Sequence, residues 1–355
     1  MNTPLIVHGI SRSATDAELR VEIERVLLKA TNNLSWLKAG ETVLLKPALN
    51  SPGHYPATTH PLSIHVVTKI LQDHGAKVII ADQSGIEHVL HAPSGVLRGS
   101  SAENFRHSGM GNPDELPFVS VEQQGWEDGF IHFKNDKTTS WPDGFYITKL
   151  VEQADHIINL PRLSTHAQAG VTLGFKSLVG WLREDSRMTF HANGPFNGFI
   201  AQAGAPAKLQ FTNDHKKLFI EKIVEISEAI KGKLRLTLFT GTAAQVTLGP
   251  DAQVAGIKST VVTPQTGLIF AGTDPVAVES FALSFLTHLY QSATPSQKMF
   301  QKILMWANGE AKELGTIPVK DTPLIRHAEK IGLGKADAAI QWQNVPNDLQ
   351  KQILG

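Results

Sequence analysis

Eight residues, Asn159-Leu160-Pro161-Arg162-Leu163-Ser164-Thr165-His166, gather an amide, a guanidinium, two hydroxyls and an imidazole. Lys176-Ser177-Leu178-Val179-Gly180 adds an ammonium ten residues later. Arginine offers a planar fork that grips a carboxylate or phosphate with two parallel hydrogen bonds. His166 has the chemistry of a general base or a metal ligand. Asn159, Thr165 and Lys176 could orient or polarise a substrate. The plain alternative is a polar loop that satisfies its own backbone.

A second group has the same design: Lys46-Pro47-Ala48-Leu49-Asn50 with Thr58-Thr59-His60-Pro61. Lys46 ends an apolar run, so it either pairs with Asp82, which ends the next one, or contacts a ligand. Thr59 and His60 precede a helix whose first turn carries no acid. Backbone N–H groups there favour an anion, unless one of these side chains simply caps the helix. Taken together, Lys46, Asn50, Thr59, His60, Asn159, Arg162 and Thr165 are candidates for substrate binding, and His166 and Lys176 for catalysis. A divalent ion would find its ligands in Asp82, His60 and His166.

Other patterns carry less. His54, His88, His91 and His107 show neither HxH nor HExxH spacing, so they predict no preformed zinc site. Lys176-Ser177 echoes a phosphate-loop pair, but the glycine pattern before it is missing. Asp82-Gln83-Ser84-Gly85 reads as a strand-to-loop turn. Asp274-Pro275 reads as a helix cap, and Glu279 receives no catalytic role.

The elements that must position these groups alternate between strand and helix. A helix opens at Thr15-Asp16-Ala17-Glu18 with a carboxylate-rich first turn. Thr42 to Lys46 reads as a buried strand, Pro61 to His74-Gly75 as a helix, and Lys77 to Asp82 as a strand. That is a βαβ unit with parallel neighbours. Residues 86–143 break into short polar pieces, read as an insertion. A helix is expected over 147–153, a strand over 155–160 and a helix from about Ala167 through Lys176. A long loop is expected over 180–206, a helix over 214–230, and strands over 234–239 and 267–272. The stretch from 276 to 288 reads as helix, and 294–355 as a mostly helical tail. The fold class is α/β: one domain over 1–355, a mostly parallel sheet with helices on both faces, and a polar crevice at the strand carboxyl ends.

Composition bounds the function. Lys plus Arg and Asp plus Glu each number 33, so no net field favours nucleic acid or an anionic membrane. The absence of cysteine removes iron–sulfur clusters, cysteine zinc sites and cysteine nucleophiles. No window is apolar enough to span a membrane and the start lacks a signal-peptide pattern, so the cytoplasm is the expected location. The partner implied is a small anionic metabolite. Oligomeric state is not readable.

Lys46-Pro47-x-x-Asn50, Thr58-Thr59-His60-Pro61, Ala81-Asp82-Gln83-Ser84-Gly85, Asn159-Leu160-Pro161 through His166, Lys176 to Gly180, and Thr273-Asp274-Pro275-Val276-Ala277-Val278 follow one another in an order that resembles domain-of-unknown-function family 362. The resemblance covers about residues 40–290. It implies no general biochemical activity. Many members carry a cysteine-rich ferredoxin-type module, a role this chain cannot take. Thr240 and Glu279 stand where the family often has Asp, which puts any family metal or acid–base site there in doubt. The N-terminal domain of nickel-pincer lactate racemases is a more distant analogy.

Overall fold

Apolar runs of five to eight residues that are buried along their length must be covered on both faces, and a mostly parallel sheet with helices on each side meets that need. The computed structural model, which describes residues 4–166, 169–189, 218–249, 251–254, 256–308 and 313–355, has this architecture. Its central sheet is built from β1 (Leu5–Ser11), β2 (Thr42–Pro47), β3 (Lys77–Asp82), β4 (Phe118–Ser120), β5 (His156–Leu160), β6 (Leu234–Gly241), β7 (Thr266–Gly272) and β8 (Ile340–Gln343). Their spatial order is β8-β1-β7-β6-β5-β2-β3-β4. Strand β7 runs antiparallel to both neighbours, β1 and β6; the other pairings are parallel.

Successive strand residues point to opposite faces. Val43 and Leu45 therefore join one core with Ile80, Ile158 and Leu238, under the helices Asp16–Ala30 and Pro61–Asp73. Leu44 joins the other core with Ile157, Phe239, Phe270 and Phe281. The first helix is closed by a capping box: Glu18 N donates to Thr15 Oγ1 at 3.3 Å, and Thr15 N donates to the Glu18 carboxylate at 2.7 Å. The βαβ unit forms as expected, with β2 and β3 parallel and in register from Thr42/Lys77 to Leu45/Ile80.

Several expectations change. Residues 86–143 hold a short hairpin, a helix (Ser101–His107) and β4, which pairs with β3 at the sheet edge. Residues 145–148 are a strand, paired with Phe130–Phe133, and helix is confined to Leu150–Gln153. Phe-Tyr-Ile-Thr is an aromatic and β-branched run that suits a pleated surface better than a helix. Of the helix expected from Ala167, 167–168 lie outside the described residues; Ser164–His166 pairs antiparallel with Gly170–Thr172, and helix is confined to one turn, Gly174–Ser177. Where the loop is expected from 180, the chain coils as two short helical pieces, Leu178–Trp181 and Glu184–Met188; 190–206 lie outside the described residues. The helix expected over 214–230 appears as Phe219–Glu225 and Ile226–Ala229, with 214–217 outside the described residues. The tail is helical over Pro295–Asn308, Pro323–Lys330 and Asn347–Leu354, yet also supplies β8.

Phe270 lies at the centre of one core, stacked on Phe239 at 4.9 Å and edge-on to Phe281 at 4.8 Å. Phe270→Ala should cost about 3–5 kcal/mol in urea unfolding, because both ring partners lose their contact across the sheet.

Candidate functional site

Lys46 and Asp82 close two adjacent strands, and both side chains are buried out of water. Lys46 Nζ lies 2.8 Å from Asp82 Oδ1 and donates to Pro47 O at 2.6 Å. Asp82 accepts Leu49 N at 2.7 Å and Gln83 N at 2.8 Å. Burial pulls the Lys46 pKa down and pushes that of Asp82 up, while each partner opposes the shift in the other. The indole of Trp181 covers Lys46, its ring centroid 5.8 Å from Nζ, and is fixed by Nε1 donating to Ala81 O at 2.8 Å. Gly180 must be glycine here: a Cβ would stand 1.9 Å from Asp82 Oδ1. Lys46 therefore reaches any ligand through its field rather than by contact, and Asp82 has its oxygens committed to protein donors.

Thr59 and His60 are also taken up locally. Thr59 Oγ1 accepts Ala48 N at 2.8 Å and donates to Leu160 O. His60 is the helix cap: its Nδ1 accepts Leu62 N at 3.2 Å, and its ring meets Tyr55 edge-on at 4.5 Å. Burial holds its pKa down to about 4, so the imidazole is neutral. The anion expected at this helix start is replaced by the protein's own ring nitrogen. Asn50 Nδ2 donates to Asp251 Oδ1 at 3.1 Å.

Strand β5 is in register with β2, placing Asn159 beside Lys46. Its amide donates to Gly174 O at 2.9 Å and accepts Ser177 Oγ at 2.9 Å, so Asn159 holds the helical turn that carries Lys176. Glu279 holds the other end of that turn, accepting Gly174 N at 2.7 Å and Phe175 N at 3.3 Å. Burial raises its pKa to about 8. A Cβ on Gly174 would lie 2.7 Å from this carboxylate.

Lys176 remains partly accessible. Its pKa falls to about 7, first through desolvation, then through the charges of Arg187, Arg162 and Lys46. Arg162 is buried, donating to Pro56 O at 3.1 Å and Gln245 Oε1 at 2.9 Å, and burial lowers its pKa to about 10. Arg187 donates to Ser84 O at 2.7 Å and to the Glu184 carboxylate at 3.3 Å. Glu184 accepts Gln83 Nε2 at 2.7 Å, and burial raises its pKa to about 7. Thr165 Oγ1 donates to Gln245 O at 3.5 Å, and His166 Nδ1 accepts Ala169 N at 3.1 Å across the hairpin turn.

Lys46 and Asp82 thus meet at the strand ends, Asn159 stands beside Lys46 and holds the turn that carries Lys176, and Arg162 acts on Lys176 from the next loop. Asp82, His60 and His166 do not form a convergent ligand set. Among the described residues the group that converges is Glu87, His88 and Asp251. Arg187, Glu184, Gln245 and Asp251 were not singled out from sequence. None stands at the end of an apolar strand, and only the Glu-x-x-Arg spacing of 184 and 187 on one helical turn hints at a pair.

Two outcomes follow. Lys46→Met leaves the Asp82 carboxylate buried without its cation and should cost about 3–5 kcal/mol in denaturant unfolding, most of it recovered in Lys46→Met/Asp82→Asn. His60 binds its proton more weakly folded than unfolded, so its contribution to stability is complete above pH 6.5 and declines as pH falls toward 4. His60→Asn keeps a capping oxygen. Its melting temperature should fall less steeply than the wild type's between those two pH values.

The family described as "Domain of unknown function (DUF362)" matches residues 43–284. The thylakoid-associated protein sll1697 of Synechocystis sp. is 28% identical over 174 residues, 47% of either chain. The chain thus spans about half the length of this curated relative. No solved structure matches at a significant level. Iron–sulfur ligation of the ferredoxin type does not fit, because the sequence has no cysteine. Among the described residues no helix is long and apolar enough to cross a membrane. The match spans more than half of the chain and includes the strand-end residues Lys46, Asp82 and Asn159 and the helical-turn residue Lys176; the chain belongs to the DUF362 family.

Proposed function

We propose that the chain is an enzyme acting on a small anionic metabolite in a crevice at the strand carboxyl ends. The observation that carries this reading is the half-buried Lys176, beside which stand Arg187, Arg162 and Lys46; burial first and then their charges pull its pKa down to about 7. Like charges brought together out of water repel strongly, and an anion among them relieves that repulsion.

Roles follow from position. Lys176, with a pKa of about 7, exists as ammonium and amine in comparable amounts near neutrality, as proton transfer requires. Arg162 and Arg187 supply charge that holds the anion. Asn159 and Glu279 are positioning residues for the turn bearing Lys176. His166 is the second candidate proton carrier, its ring oriented by Ala169 N.

Competitive labelling of amines, read by mass spectrometry as a function of pH, tests the electrostatics without a known substrate. Lys176 should titrate near 7 in the wild type and move toward the ordinary lysine value in Arg187→Gln, since removal of a positive neighbour favours the ammonium. A lysine that titrates near 10.5 in the wild type would end the proposal. Native mass spectrometry of the purified protein, followed by thermal shift with phosphate and short dicarboxylates, then addresses the ligand. Stabilisation by an anion, lost in Arg162→Gln, supports the site. Anion binding without turnover of any bound metabolite would make the chain a binding protein instead.

A further inference from the structure

We infer that Glu87, His88 and Asp251 form a binding site for a divalent first-row transition-metal ion. The three lie on two separate stretches of chain, the turn after β3 and the segment after the short strand Ala244–Gln245. One ligand atom from each falls within 4.8 Å of the others. His88 Nε2 sits 3.1 Å from both oxygens of Asp251. An ion bound at about 2.0–2.2 Å by three atoms keeps those atoms roughly 3.0–4.4 Å apart. The His88–Asp251 spacing meets this directly, and the exposed, unbranched Glu87 side chain can close the remainder.

The surroundings are those of a held ligand set rather than a chance surface cluster. Asn50 Nδ2 donates to Asp251 Oδ1 at 3.1 Å, and Gln245 Nε2 donates to Asp251 O, so both the carboxylate and the main chain of Asp251 are oriented from behind. The Arg98 guanidinium donates to Ile86 O at 2.7 Å and to Glu87 O, pinning the turn that carries the other two ligands. Outer hydrogen bonds of this kind set ligand orientation at metal centres. Two carboxylates and one imidazole suit Mn²⁺, Fe²⁺, Co²⁺ or Zn²⁺ better than a soft or purely oxygen-loving ion. The His88 and Asp251 side chains are 26% and 16% exposed, so three protein ligands leave positions open toward solvent, as in catalytic rather than structural sites. The competing account is a plain ion pair between protonated His88 and Asp251. In that account the Glu87 carboxyl, its pKa raised to about 7 by burial and by Asp251, donates a hydrogen bond to Asp251, and titration with the ion alone separates the two.

The site does not depend on the anion reading and is tested with the ion alone. Full-length chain freed of metal by chelator and dialysis is titrated with Mn²⁺, followed by electron paramagnetic resonance, and with Co²⁺, followed by visible absorption; Zn²⁺ is the competitor. The expected result is one site per chain, displaced by Zn²⁺ and weakened at least tenfold in each of His88→Gln, Asp251→Asn and Glu87→Gln. Glu87→Gln is the deciding variant, because an exposed side chain can be changed without loss of folding, which melting curves will verify. Absence of stoichiometric binding in the folded wild type, or undiminished binding in Glu87→Gln, overturns the proposal and leaves the ion pair.

Discussion

The ion pair between Lys46 and Asp82 is the constraint around which this part of the molecule is arranged. Two charges removed from water are tolerated only when both are paired and their remaining hydrogen-bonding capacity is met. The protein meets that demand with the Pro47 carbonyl and the Leu49 and Gln83 amides, and closes the pair over with Trp181. Residue 180 must then be glycine, since the chain passes directly over the carboxylate. The Lys-Ser-Leu-Val-Gly-Trp run is accordingly one unit: its end seals the ion pair, and its start presents Lys176 to the same region.

Much of this was legible because the polar residues stand at the ends of apolar strands. Parallel strands bring their carboxyl ends to one side of a sheet, so Lys46, Asp82 and Asn159 fall on the same side once β2, β3 and β5 are recognised; that β2 lies between the other two is read from the structure alone. Thr59 and His60 were left with two readings instead. A polar side chain before a helix reads equally as an anion-binding group or as a cap, and only the bond from Leu62 N decides for the cap. Arg187, Gln245 and Asp251 were illegible for another reason. Their roles depend on contacts with residues dozens to more than a hundred positions away, which no local periodicity records. Likewise β1 and β8, the pair beyond β7, are joined by a contact between the two ends of the described chain.

The charge distribution departs from what the neutral composition suggests. Equal numbers of acids and bases overall coexist with a gathering of Arg187, Arg162 and Lys46 near Lys176, close enough for their charges to lower its pKa. A net charge of zero therefore says little about what one end of a sheet attracts. Family membership adds no chemistry to this picture, and the functional argument rests on the residues themselves.

The Gln245 amide faces two ways. Its oxygen accepts from Arg162 at 2.9 Å and from Ser164 at 3.0 Å, while its nitrogen donates to the Asp251 carbonyl. Rotating the amide to suit one side would break the other, so the guanidinium and the 251 segment are geared to a single side chain. Thermodynamic linkage gives this arrangement a consequence: if binding beside Arg162 alters binding at Asp251, the reverse effect must have the same factor. Any such coupling would run through the Gln245 amide, which is hydrogen-bonded to both groups.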